Sequence, residues 1–373
     1  MDRGTNMISK VFVRLKDNSY TIAIGHGILA EFPRYIRHLG LGKDALIITD
    51  PRVKALHGGK LSAALKKAGY TVKILHVPQG EKSKSAAYAL GLIKQISAYD
   101  VDKKIFIIAL GGGVIGDLGG FVAAIYKRGV PYIQVPTTLL AQIDSSIGGK
   151  TAIDLETGKN LVGAFYQPRL VVTDTKLLTT LSPRQIRNGL AEAIKYGVIG
   201  DLKLFGFIEA NYKKFYQGGS AVLNYVVRRC AEIKARIVTQ DEKETKNLRT
   251  VLNFGHTAGH ALEAAGRLKL YHHGESVALG MRVAARMSAA MGLLELPCEV
   301  RINQLITKVG LPEKIKGVRL DRILDLMRHD KKFSKGRNRF VLVTKIGQVK
   351  IVSNIPAAII TQAIRAYLAP SGC

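Results

Sequence analysis

The segment Asn253 to His260 reads NFGHTAGH, and His272-His273-Gly274-Glu275 follows shortly after. His256 and His260 are four positions apart, so on a helix they share a face. Upstream, Ala191-Glu192-Ala193-Ile194-Lys195 puts Glu192 and Lys195 on one helical face. Carboxylate oxygen and imidazole nitrogen suit zinc, and three protein ligands leave a coordination position for substrate. Spacing leaves the third ligand open among His260, His272, His273 and Glu275. A single histidine is usually structural. Four within 18 residues, beside Arg249 and Asn253, point to a metal instead. His26, His38, His57, His76 and His329 have no such company and read as ordinary histidines.

Two other stretches carry chemistry. Gly111, Gly113 and Gly116 match GxGxxG after an apolar run and before a helical pattern. Glycines there let backbone approach a pyrophosphate, and the helix start offers unpaired N–H groups. The match lies in the third strand unit, and Asp117 falls in the helix's first turn, unlike the standard dinucleotide fingerprint. Gly80-Glu81 with Lys84 forms another loop after a strand, able to bond ribose hydroxyls. The second stretch is Pro136 to Asn160, PTTLLAQIDSSIGGKTAIDLETGKN. It is too polar for a core. Lys150, Lys159 and Asn160 stand near glycines and could hold phosphate and carboxylate groups together.

These residues need a scaffold, and the pattern supplies one. Asp44 to Asp50, Val72 to Val77, Ile105 to Leu110, Tyr132 to Val135 and Leu170 to Thr173 read as strands. Helical spacing from Leu56 to Ala68 and from Ala86 to Tyr99 separates the first three. Strands apolar on both faces, alternating with helices, predict a parallel sheet covered on both sides. Ser182-Pro183 reads as a helix cap followed by the first helical residue. Helices then dominate: 191–198, 221–238, 257–265 and 276–291. A hairpin, 340–344 with 348–352, and a helix over 356–368 close the chain. The expectation is an α/β domain over 1–181, a mostly helical domain over 182–373, and a ligand cleft between them.

Composition narrows the classes. The 373 residues are 47% hydrophobic and 23% charged, which excludes a disordered chain. The cleanest apolar run, Ile105 to Leu110, falls far short of the ~20 residues of a membrane span. The start, Met1 to Asn6, has no apolar signal region, and Cys230, Cys298 and Cys373 are far apart and odd in number. Both predict a reducing cytoplasm. The net charge of +28 first suggests nucleic acid. Residues 1–180 carry 24 basic and 13 acidic groups (+11); residues 181–373 carry 32 and 15 (+17). No run of five like charges occurs, aromatics are 7% and tryptophan is absent, so a base-stacking platform has little material. The chain is expected to bind no specific nucleic acid. A diffuse positive field can still help draw in an anionic substrate.

Together these stretches resemble the 3-dehydroquinate synthase family. The resemblance rests on GEKSK at 80–84, GGGVIGD at 111–117, Lys127-Arg128-Gly129, the segment 136–168, GLAEAIKYG at 189–197, RTVLNFGHTAGHALEA at 249–264, HGESVALGM at 273–281 and DKK at 330–332. It runs in order over most of the chain. It implies a Rossmann-like NAD-binding domain followed by a helical metal-binding domain. The implied activity is conversion of 3-deoxy-D-arabino-heptulosonate 7-phosphate to 3-dehydroquinate and phosphate, with NAD regenerated and zinc or cobalt bound.

Carried over motif by motif, the resemblance implies Glu192, His256 and His273 as metal ligands, with His260 a substrate or proton-transfer residue. NAD would meet Glu81, Lys84, Gly113, Val114, Ile115, Gly116, Asp117, Thr137, Thr138, Asp144 and the segment Leu177, Leu178, Thr179, Thr180. Lys150, Lys159 and Asn160 would lie where nicotinamide and substrate meet. Arg128, Lys195, Lys234, Arg249, Asn253 and Lys331 or Lys332 would hold phosphate and carboxylate, with Arg128 reaching from the partner of a homodimer. The substrate carries about three negative charges near neutral pH, which such a ring of cations neutralises. The rivals are cyclases making other carbocycles and a metal-dependent polyol dehydrogenase. The DSSIGGKT segment favours dehydroquinate synthase over the former. The phosphate-gripping lysines disfavour the latter.

Overall fold

A computed structural model describes residues 8–267, 269–328 and 338–370. Seven strands form one sheet: β1 (Ser9–Val13), β2 (Tyr20–Gly25), β3 (Asp44–Thr49), β4 (Thr71–His76), β5 (Ile105–Gly111), β6 (Tyr132–Pro136) and, after a separate hairpin of β7 (Lys150–Leu155) and β8 (Gly158–Phe165), β9 (Leu170–Asp174). Their spatial order is β1-β2-β9-β6-β5-β3-β4. Every pairing is parallel except β1 with β2. The expected parallel α/β architecture is therefore present. The alternation of side chains explains the doubly apolar strands. Ala45, Ile47, Phe106, Ile108 and Leu110 enter one core, while Leu46, Ile48, Ile107 and Ala109 enter the other. β1 and β2 are additions that the sequence reading did not single out.

Strand order fixes where a ligand can sit. From β3 the chain runs outward to β4, then returns to the other side of β3 with β5 and continues through β6. The β3–β5 boundary is a topological switch point, and the glycine turn follows β5 there. This is why the motif belongs to the third strand unit. Gly116 faces Gln134 of β6, where an added Cβ would meet Oε1 at 2.8 Å. Gly120 meets Thr151 of β7 at 2.5 Å, so the β7–β8 hairpin rests on the Gly113–Ile125 helix.

The chain forms two units. One comprises residues up to Leu181 together with Ser220–Lys243; the other comprises Ser182–Gly219 and the chain from Glu244 onward. The sequence reading put the Ser220–Gln240 helix in the second domain. The structure groups it with the first, packed on β1, β2 and the Ala141–Ser145 turn. Val222, Leu223, Val226 and Val227 are buried there. An amphipathic stripe says that a helix is covered, but not by what.

The second unit is mostly helical. Ser182 caps the helix Pro183–Gly200, its Oγ accepting from the Gln185 amide at 3.4 Å while Gln185 Oε1 accepts from the Ser182 amide at 3.2 Å. Leu190 to Ile199 are all buried, as in a central helix. Around it stand Leu202–Asn211, His256–Ala265, His273–Ala290, Leu296–Lys308, Leu320–Arg328 and Ala357–Arg365, with the antiparallel hairpin β10 (Arg339–Lys345) and β11 (Gln348–Ser353). Among the described residues, no helix is long and apolar enough to cross a membrane.

Candidate functional site

The central helix carries a glutamate with no contact to water. Glu192 is fully buried, and its Oε1 lies 3.3 Å from Nε2 of both His256 and His273. One ligand atom from each of the three lies within 4.8 Å of the others. Three elements position them: Pro183–Gly200, the start of His256–Ala265 and the start of His273–Ala290. The last two pack very closely. Gly255 has φ +77°, and a Cβ on Gly280 would fall 1.9 Å from the Gly255 carbonyl oxygen. Only glycine allows that approach, which brings His256 and His273 to one carboxylate.

Both ring orientations are set from behind. His256 Nδ1 is 3.1 Å from the Phe254 carbonyl, and His273 Nδ1 is 3.3 Å from Glu263 Oε2. Each Nε2 is thereby aimed at Glu192. His272 and Glu275 have other work. His272 is the helix N-cap, its amide donating to Glu275 Oε2 at 2.8 Å, and Arg184 grips Glu275 through two bonds of 2.7 and 2.8 Å. His260 is exposed, its ring centroid 5.3 Å from that of His256, and its ligand atoms lie outside the cluster.

Burial opposes charge on Glu192. The Lys195 ammonium, which pairs with Oε2, and His256 overcome this and hold its carboxyl well below the usual range. Burial and Lys195 depress His256. Burial also disfavours protonated His273, yet Glu192 and Glu263 push it up to about 10. Glu192 Oε1 makes no hydrogen bond of good geometry within the described structure. A buried carboxylate oxygen without such a bond, facing two imidazole nitrogens, is a donor set that fits a divalent cation.

The first unit gathers a different set. Gly113 to Asp117 open the Gly113–Ile125 helix, and among the described residues no side chain caps its N-terminus. Gly112 and Gly113 face Thr138 and Ser145, where added Cβ atoms would meet side-chain atoms at 3.2 and 3.1 Å. Thr137 donates its amide to Gly111 at 2.9 Å, and Thr138 Oγ1 accepts from Ala141. An open helix start flanked by small residues fits a pyrophosphate. Lys84 is buried, bonded to Asp117 at 2.6 Å and to Asn160. Burial raises the Asp117 carboxyl, against the pull of Lys84. Lys159 reaches Glu81 at 3.6 Å, and Lys150 is exposed at the start of β7.

The remaining predicted residues fall as follows. Lys234 stands in the first unit and bonds both the carbonyl (2.7 Å) and the carboxylate of Asp144. Leu177 and Leu178 are core residues, while Thr179 and Thr180 bond carbonyls within their own short helix. Arg249 is buried in the second unit with Nε 3.2 Å from Glu244, and Asn253 ends the short helix before Phe254. Lys127 and Arg128 both take left-handed backbone, φ +46° and +62°, with Arg128 exposed. Lys331 and Lys332 lie outside the described residues. The sequence reading missed Glu263. Its only signal was its position seven residues after His256, two turns along the same face.

Fold and site together define a class, the sugar phosphate cyclases. One solved structure of it is 2-deoxy-scyllo-inosose synthase complexed with carbaglucose-6-phosphate, NAD+ and Co2+: 28% identity, TM-score 0.85, covering 96% of this chain and 100% of that one. Another is 2-epi-5-epi-valiolone synthase from Streptomyces hygroscopicus with NAD+ and Zn2+: 27% identity, TM-score 0.87, covering 95% and 98%. Maleylacetate reductase from Agrobacterium tumefaciens shares the fold alone, at 16% identity and TM-score 0.65, covering 97% and 99%.

Within the class, the family is shown. Residues 74–188 match the 3-dehydroquinate synthase N-terminal model and residues 189–333 the C-terminal one. The 3-dehydroquinate synthase of Desulforamulus reducens is 45% identical, covering 93% of this chain and 96% of its own. That of Caulobacter vibrioides is 43% identical, covering 98% and 100%. The chain belongs to the 3-dehydroquinate synthase family.

Proposed function

We propose that the chain converts 3-deoxy-D-arabino-heptulosonate 7-phosphate to 3-dehydroquinate and phosphate, using NAD and one divalent metal. The observation that carries this reading is the convergence of Glu192, His256 and His273 beside buried Lys195, in a chain of this family. NAD would supply a reversible hydride acceptor, and zinc or cobalt a Lewis acid for ring hydroxyls. Glu192, His256 and His273 would hold the metal. The glycine turn, Thr137, Thr138, Lys84, Glu81 and Asp144 would hold the dinucleotide.

The chain's own residues bind, orient and shield. Lys195, Lys234, Arg249, Asn253 and Arg128 neutralise phosphate and carboxylate, together with Lys332. Lys150, Lys159 and Asn160 orient the reacting ring. His260, exposed beside His256, is available to move a proton. With NAD and metal bound, oxidation of a ring hydroxyl would acidify the neighbouring C–H, so that phosphate could leave by β-elimination before reduction, ring opening and aldol closure to the carbocycle. The substrate's phosphate can itself accept the proton, so no side-chain base need stand out. Orientation and exclusion of water are the main contributions of the protein.

The reading includes a homodimer in the cytoplasm. Exposed Leu161, Val162 and Phe165 on β8 offer apolar surface for a second copy, and neither Cys230 nor Cys298 is in a disulfide among the described residues. The test is phosphate release from the heptulosonate phosphate with zinc and catalytic NAD, with and without chelator. Phosphate far beyond the NAD present, without net NADH, and dehydroquinate as product are expected. NADH accumulating on a polyol would overturn the reading, and light scattering tests the dimer.

A further inference from the structure

We infer that Glu263 is a positioning residue that sets the affinity of the site for its metal by holding the His273 ring in register. The inference rests on the metal reading above. Glu263 is buried, and its Oε2 is 3.3 Å from His273 Nδ1. The other ring nitrogen, Nε2, is the one 3.3 Å from Glu192. A proton held at Nδ1 by a carboxylate leaves the Nε2 lone pair for a cation and makes that nitrogen a stronger donor.

The two imidazoles are served unequally. His256 is backed by the Phe254 carbonyl, a neutral acceptor two residues away on its own chain segment. Its register follows from the turn that begins its helix. His273 starts a separate helix and is the more exposed ligand, its side chain 31% accessible against 10% for His256. Rotation of its ring is restrained by a charged partner on the neighbouring helix. Glu263 lies two turns after His256, so one helix carries both a ligand and the group that orients the opposing ligand. The contact spans the two helices that Gly255 and Gly280 bring together.

The test measures zinc affinity by competition with a chromophoric chelator, in the full-length protein freed of metal. Glu263→Gln keeps the volume and an acceptor but loses the charge; Glu263→Ala loses both. Zinc affinity is expected to fall roughly tenfold in the first and up to about 100-fold in the second. NAD affinity, measured by titration, should be unchanged in both. Zinc affinity within twofold of the unmodified protein in Glu263→Gln would overturn the inference, because an effect in Glu263→Ala alone would then be packing. Glu263→Gln is near-isosteric, so the test stands even if Glu263→Ala does not fold. If the unmodified protein binds no zinc, or if His256→Ala binds it equally well, the metal reading itself fails and the inference with it.

Discussion

The two units solve opposite problems. In the first, the candidate cofactor cradle is mostly backbone: strand ends, a glycine turn and an uncapped helix start, with lysines already paired to carboxylates. In the second, the candidate metal centre consists of side chains from three helices, crowded around one buried carboxylate. A cradle of backbone amides shares its work over many groups, so each contributes modestly. A cluster around a buried charge shares nothing, because removing one member leaves another unpaired. Substitutions should therefore be graded in the first unit and close to all-or-none in the second.

The sharpest break comes at the proposed ligand Glu192. Glu192→Gln should abolish stoichiometric zinc binding and lower turnover by roughly 10³ or more, read by metal analysis and phosphate release. Lys195→Met leaves the Glu192 charge without its ammonium partner and should cost about 3–5 kcal/mol of stability. Excess zinc should restore part of it in thermal denaturation. A loss below about 1 kcal/mol would show that Glu192 and Lys195 are only weakly coupled.

Two glycines then test the same contrast through packing. Gly280→Ala drives a methyl into the Gly255 carbonyl, which cannot yield, and should cost about 3 kcal/mol. Gly116→Ala meets the side-chain amide of buried Gln134 rather than backbone, and should cost about 1 kcal/mol. Equal costs in denaturant melts would erase the difference. Lys84→Ala should weaken NAD binding roughly tenfold while leaving zinc affinity unchanged, by titration of each.

The smallest effect concerns acid. Burial would raise Glu275, but Arg184 and the His272 amide hold its carboxyl below the usual range. A depressed carboxyl stabilises the fold above its ordinary value, and that contribution is lost as pH falls from about 4.5 through the lowered value. Glu275→Gln should flatten the acid limb of the stability curve by about 1 kcal/mol, since Arg184 is half exposed and screened.

Much of this was legible in one dimension. Alternating apolar runs from Asp44 to Thr173 announce the parallel sheet, because strands buried on both faces have little polar alternation. Ser182-Pro183 announces the start of the central helix, and its capping box is present. Glu192 and His256 could be picked as candidate ligands from residue type and spacing. The β7–β8 hairpin could not be seen within the polar stretch, since residues that serve a site obscure the strand pattern.

Local rules thus determined elements, caps and the chemistry available, because each depends on a few neighbouring residues. Tertiary structure decided which elements share a core and which side chains converge on one point. Spacing left four candidates for the third ligand. The start of the His273–Ala290 helix selects among neighbours, since one residue is about 100° of rotation. His273 turns to Glu192, while His272 and Glu275 close the cap. The Ser220–Gln240 helix likewise has an apolar stripe in sequence but acquires its partner, β1 and β2, only in three dimensions. Burial in the folded chain also moves the protons, and two histidines 17 positions apart in sequence are driven in opposite directions.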